Sequence, residues 1–111
     1  MIRRYRQRGY GEAAVALATG MGWLTHRSDM GGSLGNPASF CGVVGMRPTA
    51  GRVAQSRLLC VDGTLGVQGP MARAVGDLAL LLGAMSGDDP RDPLSKPRAA
   101  RSFVSAMSGT R

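Results

Sequence analysis

The apolar positions of the chain fall into four pieces separated by stretches rich in glycine and proline. The first, "EAAVALATG" at 12–20, is alanine-rich, and its small side chains predict a closely packed helix that ends at Gly20, a common residue just past a helix C-terminus. The second, "GWLTH" at 22–26, predicts a short buried strand. Around 33–50 the density of Gly and Pro predicts turns and a tight loop, with "CGVVGM" either a short strand or the end of a short helix. Further on, "LGVQGP" at 65–70 predicts a strand ended by Pro70. In "AVGDLALLLGAM", Val75, Leu78, Leu82 and Met85 share one stripe at three- and four-residue spacing, and Ala79 and Leu81 widen it. That pattern predicts an amphipathic helix of about three turns, with Asp77 favouring its positive end and Gly76 weakening its first turn. The Pro- and Asp-rich stretch "SGDDPRDPLSKPRAA" predicts a loop, and for the last ten residues no regular element is expected.

Composition narrows the picture. A chain of 111 residues has room for one small domain, and its 43% apolar content with few aromatics is that of a globular protein. No run approaches the roughly 20 apolar residues that span a bilayer. Cys41 and Cys60 are too few and too far apart for a four-ligand metal cluster or a disulfide framework, so free thiols and a cytoplasmic setting are expected. The net charge of +7 would suggest nucleic acid were it spread over the body of the chain. It is not: residues 1–8 and 96–111 each carry four basic residues and no acid, while 9–95 nets −1. Basic tails bind polyanions non-specifically, but no basic helix or aromatic platform points to specific nucleic-acid recognition. "MIRRYRQR" lacks the Ser-rich continuation of a transit peptide.

Candidate chemistry centres on Ser33, in "SDMGGSLGNPASFCGVVGMRPTAGRV" at 28–53. A Gly-Gly-Ser step can be an ordinary turn, or it can present a hydroxyl beside bare N–H groups. That stretch, together with "ALATGMGWL", "GTLGVQGPMARAVGDLALLLGAM" and "DDPRDPLS" in the same order, resembles the amidase signature hydrolases over residues 11–95. The resemblance implies an α/β fold, here a partial core of mixed sheet flanked by helices and truncated at both ends, since whole members are several times longer. It sets off a basic N-terminal segment at 1–10 and a basic tail at 96–111, expected to be disordered. The implied activity is hydrolysis of carboxamide C–N bonds without metal or organic cofactor. It implies Ser33 as acyl-enzyme nucleophile, with Met30, Gly31 and Gly32 around the oxyanion position, where backbone donors are typically worth about 2.7–4 kcal/mol each to the transition state.

A serine hydroxyl needs a base. In the family the proton passes through a second serine to an upstream lysine. Counting back from Ser33, the second serine falls at Gly9, beside Tyr10, and the chain's single lysine, Lys96, follows the signature rather than preceding it. Two further departures lie in the loop: Gly35 stands where the family usually has arginine, and Arg27 where it usually has glycine. Asp29 is expected either to orient the loop by accepting backbone N–H bonds or to be a solvated turn residue. Pro37 and Cys41 match the family and read equally as a helix-start proline and a buried thiol, and His26 has no partner at catalytic spacing. The alternative reading is a non-catalytic interaction protein whose basic tails contact acidic partners. For a slice of a larger sheet, unpaired edges and an uncovered leucine stripe favour self-association or a complementing polypeptide. The expectation is a marginal monomer, checked by sedimentation at low micromolar concentration; a monodisperse, cooperatively unfolding monomer would overturn it.

Overall fold

The computed structural model describes residues 11–55 and 65–109. The basic segment 1–10 with Gly9 and Tyr10, Cys60, and Arg111 lie outside the described residues. The elements in chain order are helix α1 (Glu12–Ala18), strand β1 (Leu24–Asp29), helix α2 (Gly35–Cys41), strand β2 (Val44–Gly45), strand β3 (Val67–Ala72), helix α3 (Val75–Met85) and helix α4 (Phe103–Ser108). The three strands form one sheet in the order β1-β3-β2, antiparallel at both pairings. It is a partial α/β core with helices laid against a small sheet.

The sheet departs from the expected strands in two ways. The strand expected at 22–26 is shifted and longer, and it is not buried: Leu24, His26 and Ser28 are exposed while Asp29 alone is fully buried. Six consecutive pairs with β3, from Leu24 opposite Ala72 to Asp29 opposite Val67, hold the polar "HRSD" end in extended form. Pairing with the centre strand outweighs the weak strand preference of those residues. The strand expected to stop at Pro70 instead runs through it to Ala72. The Pro70 carbonyl accepts from the Met46 N–H (3.1 Å). In an antiparallel strand a residue's N–H and C=O point to the same neighbour. The donor Pro70 lacks would therefore have faced the β2 side, where the two-residue β2 has already ended, and the β1 ladder is left intact.

Helix α1 ends as its sequence requires. Gly20 takes φ +77°, the Met21 N–H reaches Ala16 O (2.8 Å) and the Gly20 N–H reaches Leu17 O (3.1 Å), a pair of bonds that closes the last turn. Arg73 adds a cap from outside, donating to Leu17 O (3.2 Å) and Gly22 O (3.3 Å) with its guanidinium 5.3 Å from the centre of the Trp23 ring. Where turns are expected after Ser33, one short helix and one short strand form. Pro37 is the third residue of α2, where its missing N–H removes no helical bond, and Gly42 at φ +67° closes the other end. "CGVVGM" thus supplies both the helix end at Cys41 and the strand at Val44–Gly45.

Ala14 and Leu17 of α1, Leu34 and Ala38 beside and within α2, and Met71 of β3 form the core cluster, with Cys41 a half-buried free thiol packed against it. On the other side α3 touches all three strands and buries Leu78, Ala79 and Leu82 of the expected stripe; Val75, at its first turn, is exposed. The Asp-rich loop after α3 is tied to residues 51–55: Asp92 accepts from the Gln55 N–H (2.9 Å) and the Lys96 N–H reaches Gly51 O (2.8 Å). Within 96–111, where no element is expected, Phe103–Ser108 is helical. Ser102 is its N-cap, its hydroxyl oxygen accepting from the Ser105 N–H (3.0 Å), a signal that is present in the sequence.

Two glycines set how closely α2 can lie on the sheet. A Cβ at Gly69 would collide with Met46 O, lie 2.5 Å from Leu34 Cδ1 and 2.9 Å from Pro48 Cδ, and one at Gly45 would lie 2.8 Å from Ala38 Cβ. Gly69→Ala is therefore expected to destabilise the fold by about 1–3 kcal/mol, because its neighbours are backbone and ring atoms that cannot step aside. Gly66→Ala, whose Cβ would meet nothing within 4 Å, is the control and is expected to stay within about 0.5 kcal/mol. Urea unfolding midpoints of the two variants check this.

Candidate active site

The loop from Asp29 to Leu34 carries the chain from the end of β1 into α2, and a buried carboxylate shapes it. Asp29, the last residue of β1, is 2% exposed. Its Oδ1 accepts from the Gly32 N–H (2.7 Å) and its Oδ2 from the Leu34 N–H (2.9 Å), which folds Met30-Gly31-Gly32-Ser33 into a bend over the carboxylate. Arg47, 40% exposed, donates through Nη1 to Asp29 Oδ1 (2.9 Å) and to the Asp29 carbonyl (2.7 Å), and through Nη2 to the Leu65 carbonyl. The bend needs glycine at 32, where φ is +110° and a Cβ would lie 2.7 Å from Asn36 Nδ2. From there the Gly32 carbonyl accepts from the Asn36 N–H (3.0 Å), starting α2.

Of the two readings of Asp29, the structure gives the first: it orients the loop. Burial alone would raise its pKa. The N–H bonds from Gly32 and Leu34 and the charge and hydrogen bond of Arg47 outweigh burial and hold the carboxyl below its usual 3.8. Arg47 does not stand out in the sequence because it lies 18 residues from Asp29. A buried aspartate requires a cation, and the Arg in "GMRPTAGR" is the signal for it.

Ser33 sits half-buried at the top of this bend, one residue before the buried Leu34. Its neighbours Met30, Gly31 and Gly32 are brought together with it by the turn. Gly32 commits its N–H to Asp29, whereas the N–H groups of Met30, Gly31 and Ser33 do not bond the carboxylate. Among the described residues the Ser33 hydroxyl has no hydrogen-bond partner. His26 is exposed on β1, three residues before Asp29, and so on the opposite face of the sheet from it. The backbone of Lys96 is tied to Gly51, in the loop after α3. Of the two departures, Gly35 opens α2 and Arg27 pairs across the sheet with Gly69. Among the described residues no group of His, Cys, Asp and Glu has the arrangement of a metal site, and no helix is long and apolar enough to cross a membrane.

A glycine-rich bend held by a buried carboxylate thus presents Ser33 at the end of β1. The chain belongs to the amidase family, whose sequence profile matches residues 11–110 and so runs past Ser95 into α4. It is 44% identical over 97 residues to a glutamyl-tRNA(Gln) amidotransferase subunit of Rubrobacter xylanophilus, covering 87% of this chain and 20% of that protein. With the corresponding protein of Thermus thermophilus it shares 46% identity over 99 residues, 89% of this chain and 21% of the relative. Among solved structures, the peptide amidase of Stenotrophomonas maltophilia superposes with a TM-score of 0.77 at 33% identity, over 85% of this chain and 20% of that one. The 6-aminohexanoate cyclic dimer hydrolase in complex with substrate gives 0.82 at 34% identity, over 90% and 21%. The chain spans about a fifth of the length of these relatives.

Asp29→Asn is expected to cost about 1.5–3 kcal/mol at neutral pH, since bonds to a charged acceptor are lost. Arg47→Met leaves the buried Asp29 carboxylate without its counter-charge and is expected to cost at least as much. The folded pKa of Asp29 is depressed, so its contribution is complete above the unfolded value of 3.8 and disappears as pH falls through the folded value. Urea unfolding of wild type and Asp29→Asn should therefore differ fully at about pH 7, and the gap should shrink as pH falls below the unfolded value. A gap that does not shrink would show that the aspartate acts through shape and not charge.

Proposed function

We propose that Ser33 is the nucleophile of a carboxamide hydrolase site of which this chain carries the nucleophile loop. The observation that carries the reading is the Gly31-Gly32-Ser33 bend held over buried Asp29 in a chain of the amidase family. The Ser33 Oγ attacks the amide carbonyl carbon and its proton passes to a base. The carbonyl oxygen becomes negative beside the bend, whose donors come from Met30, Gly31 and Ser33, with Gly32 fixing the turn. Collapse of the tetrahedral intermediate breaks the C–N bond, the amine leaves with a proton, and water then releases the carboxylate from the acyl-enzyme. No metal or organic cofactor enters these steps.

The base is the part that residues 11–55 and 65–109 do not supply. By the family resemblance it would be a lysine acting through a second serine, and Gly9, at the corresponding position, lies outside the described residues. We therefore assign the base to the part of the relatives' length that these residues do not span, reached either through an upstream segment or through a complementing polypeptide. The setting proposed is the cytoplasm, and the substrate a small-molecule carboxamide. A second reading, a non-catalytic binding module contacting acidic partners, is favoured by the basic, acid-free stretches at 1–8 and 96–111.

The test is amide hydrolysis by the 111-residue chain and by Ser33→Ala. Loss of coupled members of a serine-based triad costs about 10⁴–10⁶ in kcat, with about 10³ over water left to an intact oxyanion site. The chain alone is expected to show no more than a trace rate. A polypeptide supplying the lysine and second serine is expected to raise it, and Ser33→Ala to abolish the gain. Ordinary turnover by the chain alone, lost in Ser33→Ala, would place a base within it; a rate unaffected by Ser33→Ala would support the binding module.

A further inference from the structure

A cleft of about 380 Å³ lies between α3 and the segment that leads into α4, and none of the residues that line it belongs to the Asp29–Leu34 loop. Its walls are Ala79, Leu80, Gly83 and Ala84 on α3 and Phe103 and Val104 on α4. Leu80 is 60% and Val104 43% exposed, so large apolar side chains stand open to solvent at its mouth. The small residues facing them on α3 are what leave the space. Its size is at the lower end of the range for small-molecule sites, about 300–1,000 Å³, and too small for a second helix to enter.

The charged lining has one sign. Among the described residues Arg98 and Arg101 are the ionisable residues that line the cleft, and 96–111 carries no Asp or Glu. Arg101 donates to the Ser105 carbonyl (3.1 Å), which holds it against α4, while Arg98 is exposed with no acceptor among the described residues. An apolar slot bordered by two guanidinium groups, one of them unpaired, complements a molecule with an apolar body and an anionic, planar head.

We propose that the α3–α4 cleft binds a small aliphatic carboxylate, its chain between Leu80 and Phe103 and its carboxylate on Arg98. The site is independent of Ser33 and of the amidase reading. Titration of the ¹⁵N-labelled full chain with octanoate, followed by NMR, tests it. The resonances of Gly83, Ala84, Ala99 and Phe103 are expected to shift saturably, and those of the Met30–Ser33 loop to stay in place. Octanol is expected to bind at least about fivefold more weakly, and Arg98→Gln to weaken octanoate by about five- to tenfold while leaving octanol unchanged. Gly83→Leu fills the slot. A Cβ at Gly83 has ordinary contact with Phe103 at 3.9 Å, and leucine favours helix, so this variant is expected to fold and lose binding. Equal binding of octanoate and octanol, octanoate binding unmoved by Gly83→Leu, or no saturable shift would overturn the proposal. So would shifts of the same resonances on raising protein concentration alone, which would show a second copy of the chain occupying the cleft.

Discussion

The buried charge of Asp29 organises the loop that follows β1. The Asp29 carboxylate has been taken almost wholly out of water, a change that is strongly unfavourable unless hydrogen bonds and a counter-charge replace the lost solvent. Four donors approach the residue: two backbone N–H groups from the turn that follows and two contacts from Arg47, one of them to its carbonyl. They come from different parts of the chain's path. The turn amides fix the entry to α2, Arg47 fixes the segment after β2, and the same guanidinium reaches the Leu65 carbonyl just ahead of β3. The bend that lifts Ser33 is thus the arrangement in which that buried charge keeps its partners.

The packing beneath the bend serves the same geometry. Leu34, whose N–H is bonded to Asp29, is itself fully buried in the core cluster with Leu17 and Met71. The polar anchor and the apolar anchor of the loop are therefore the same residue, seen from its backbone and from its side chain. For Leu34 to reach that depth, α2 must lie close to β2 and β3, and Gly45 and Gly69 are the positions at which the sheet has no side chain to hold it off. Cutting either anchor would free the other, so cavity-forming changes at Leu34 and charge-removing changes at Asp29 should couple strongly.

Local signals explain which parts of this are legible in the sequence. The stripe Leu78-Ala79-Leu82, the helix stop at Gly20 and the loop after α3 depend on residues near one another in the chain, and they fold as their spacing predicts. The strand through Pro70 escapes such a reading because a proline's effect depends on which neighbour its missing donor would have faced, a property of the sheet and not of the residue. β1 reads too short because strand pairing, rather than its own polar residues, holds "HRSD" extended. Ser33 and its glycines stand out by pattern, whereas Arg47 is tied to Asp29 across 18 residues, and only the geometry shows that the pair needs both members.

The interactions that shape the Asp29–Leu34 loop do not involve the Ser33 hydroxyl. Among the described residues the loop that carries Ser33 is held by Asp29, Arg47, the Gly32–Asn36 backbone bond and the packing of Leu34 on Met71. No donor or acceptor among the described residues engages the Ser33 hydroxyl itself. A loop built this way keeps its shape without any contact to the Ser33 hydroxyl, because its geometry is set by the Asp29 carboxylate and the core.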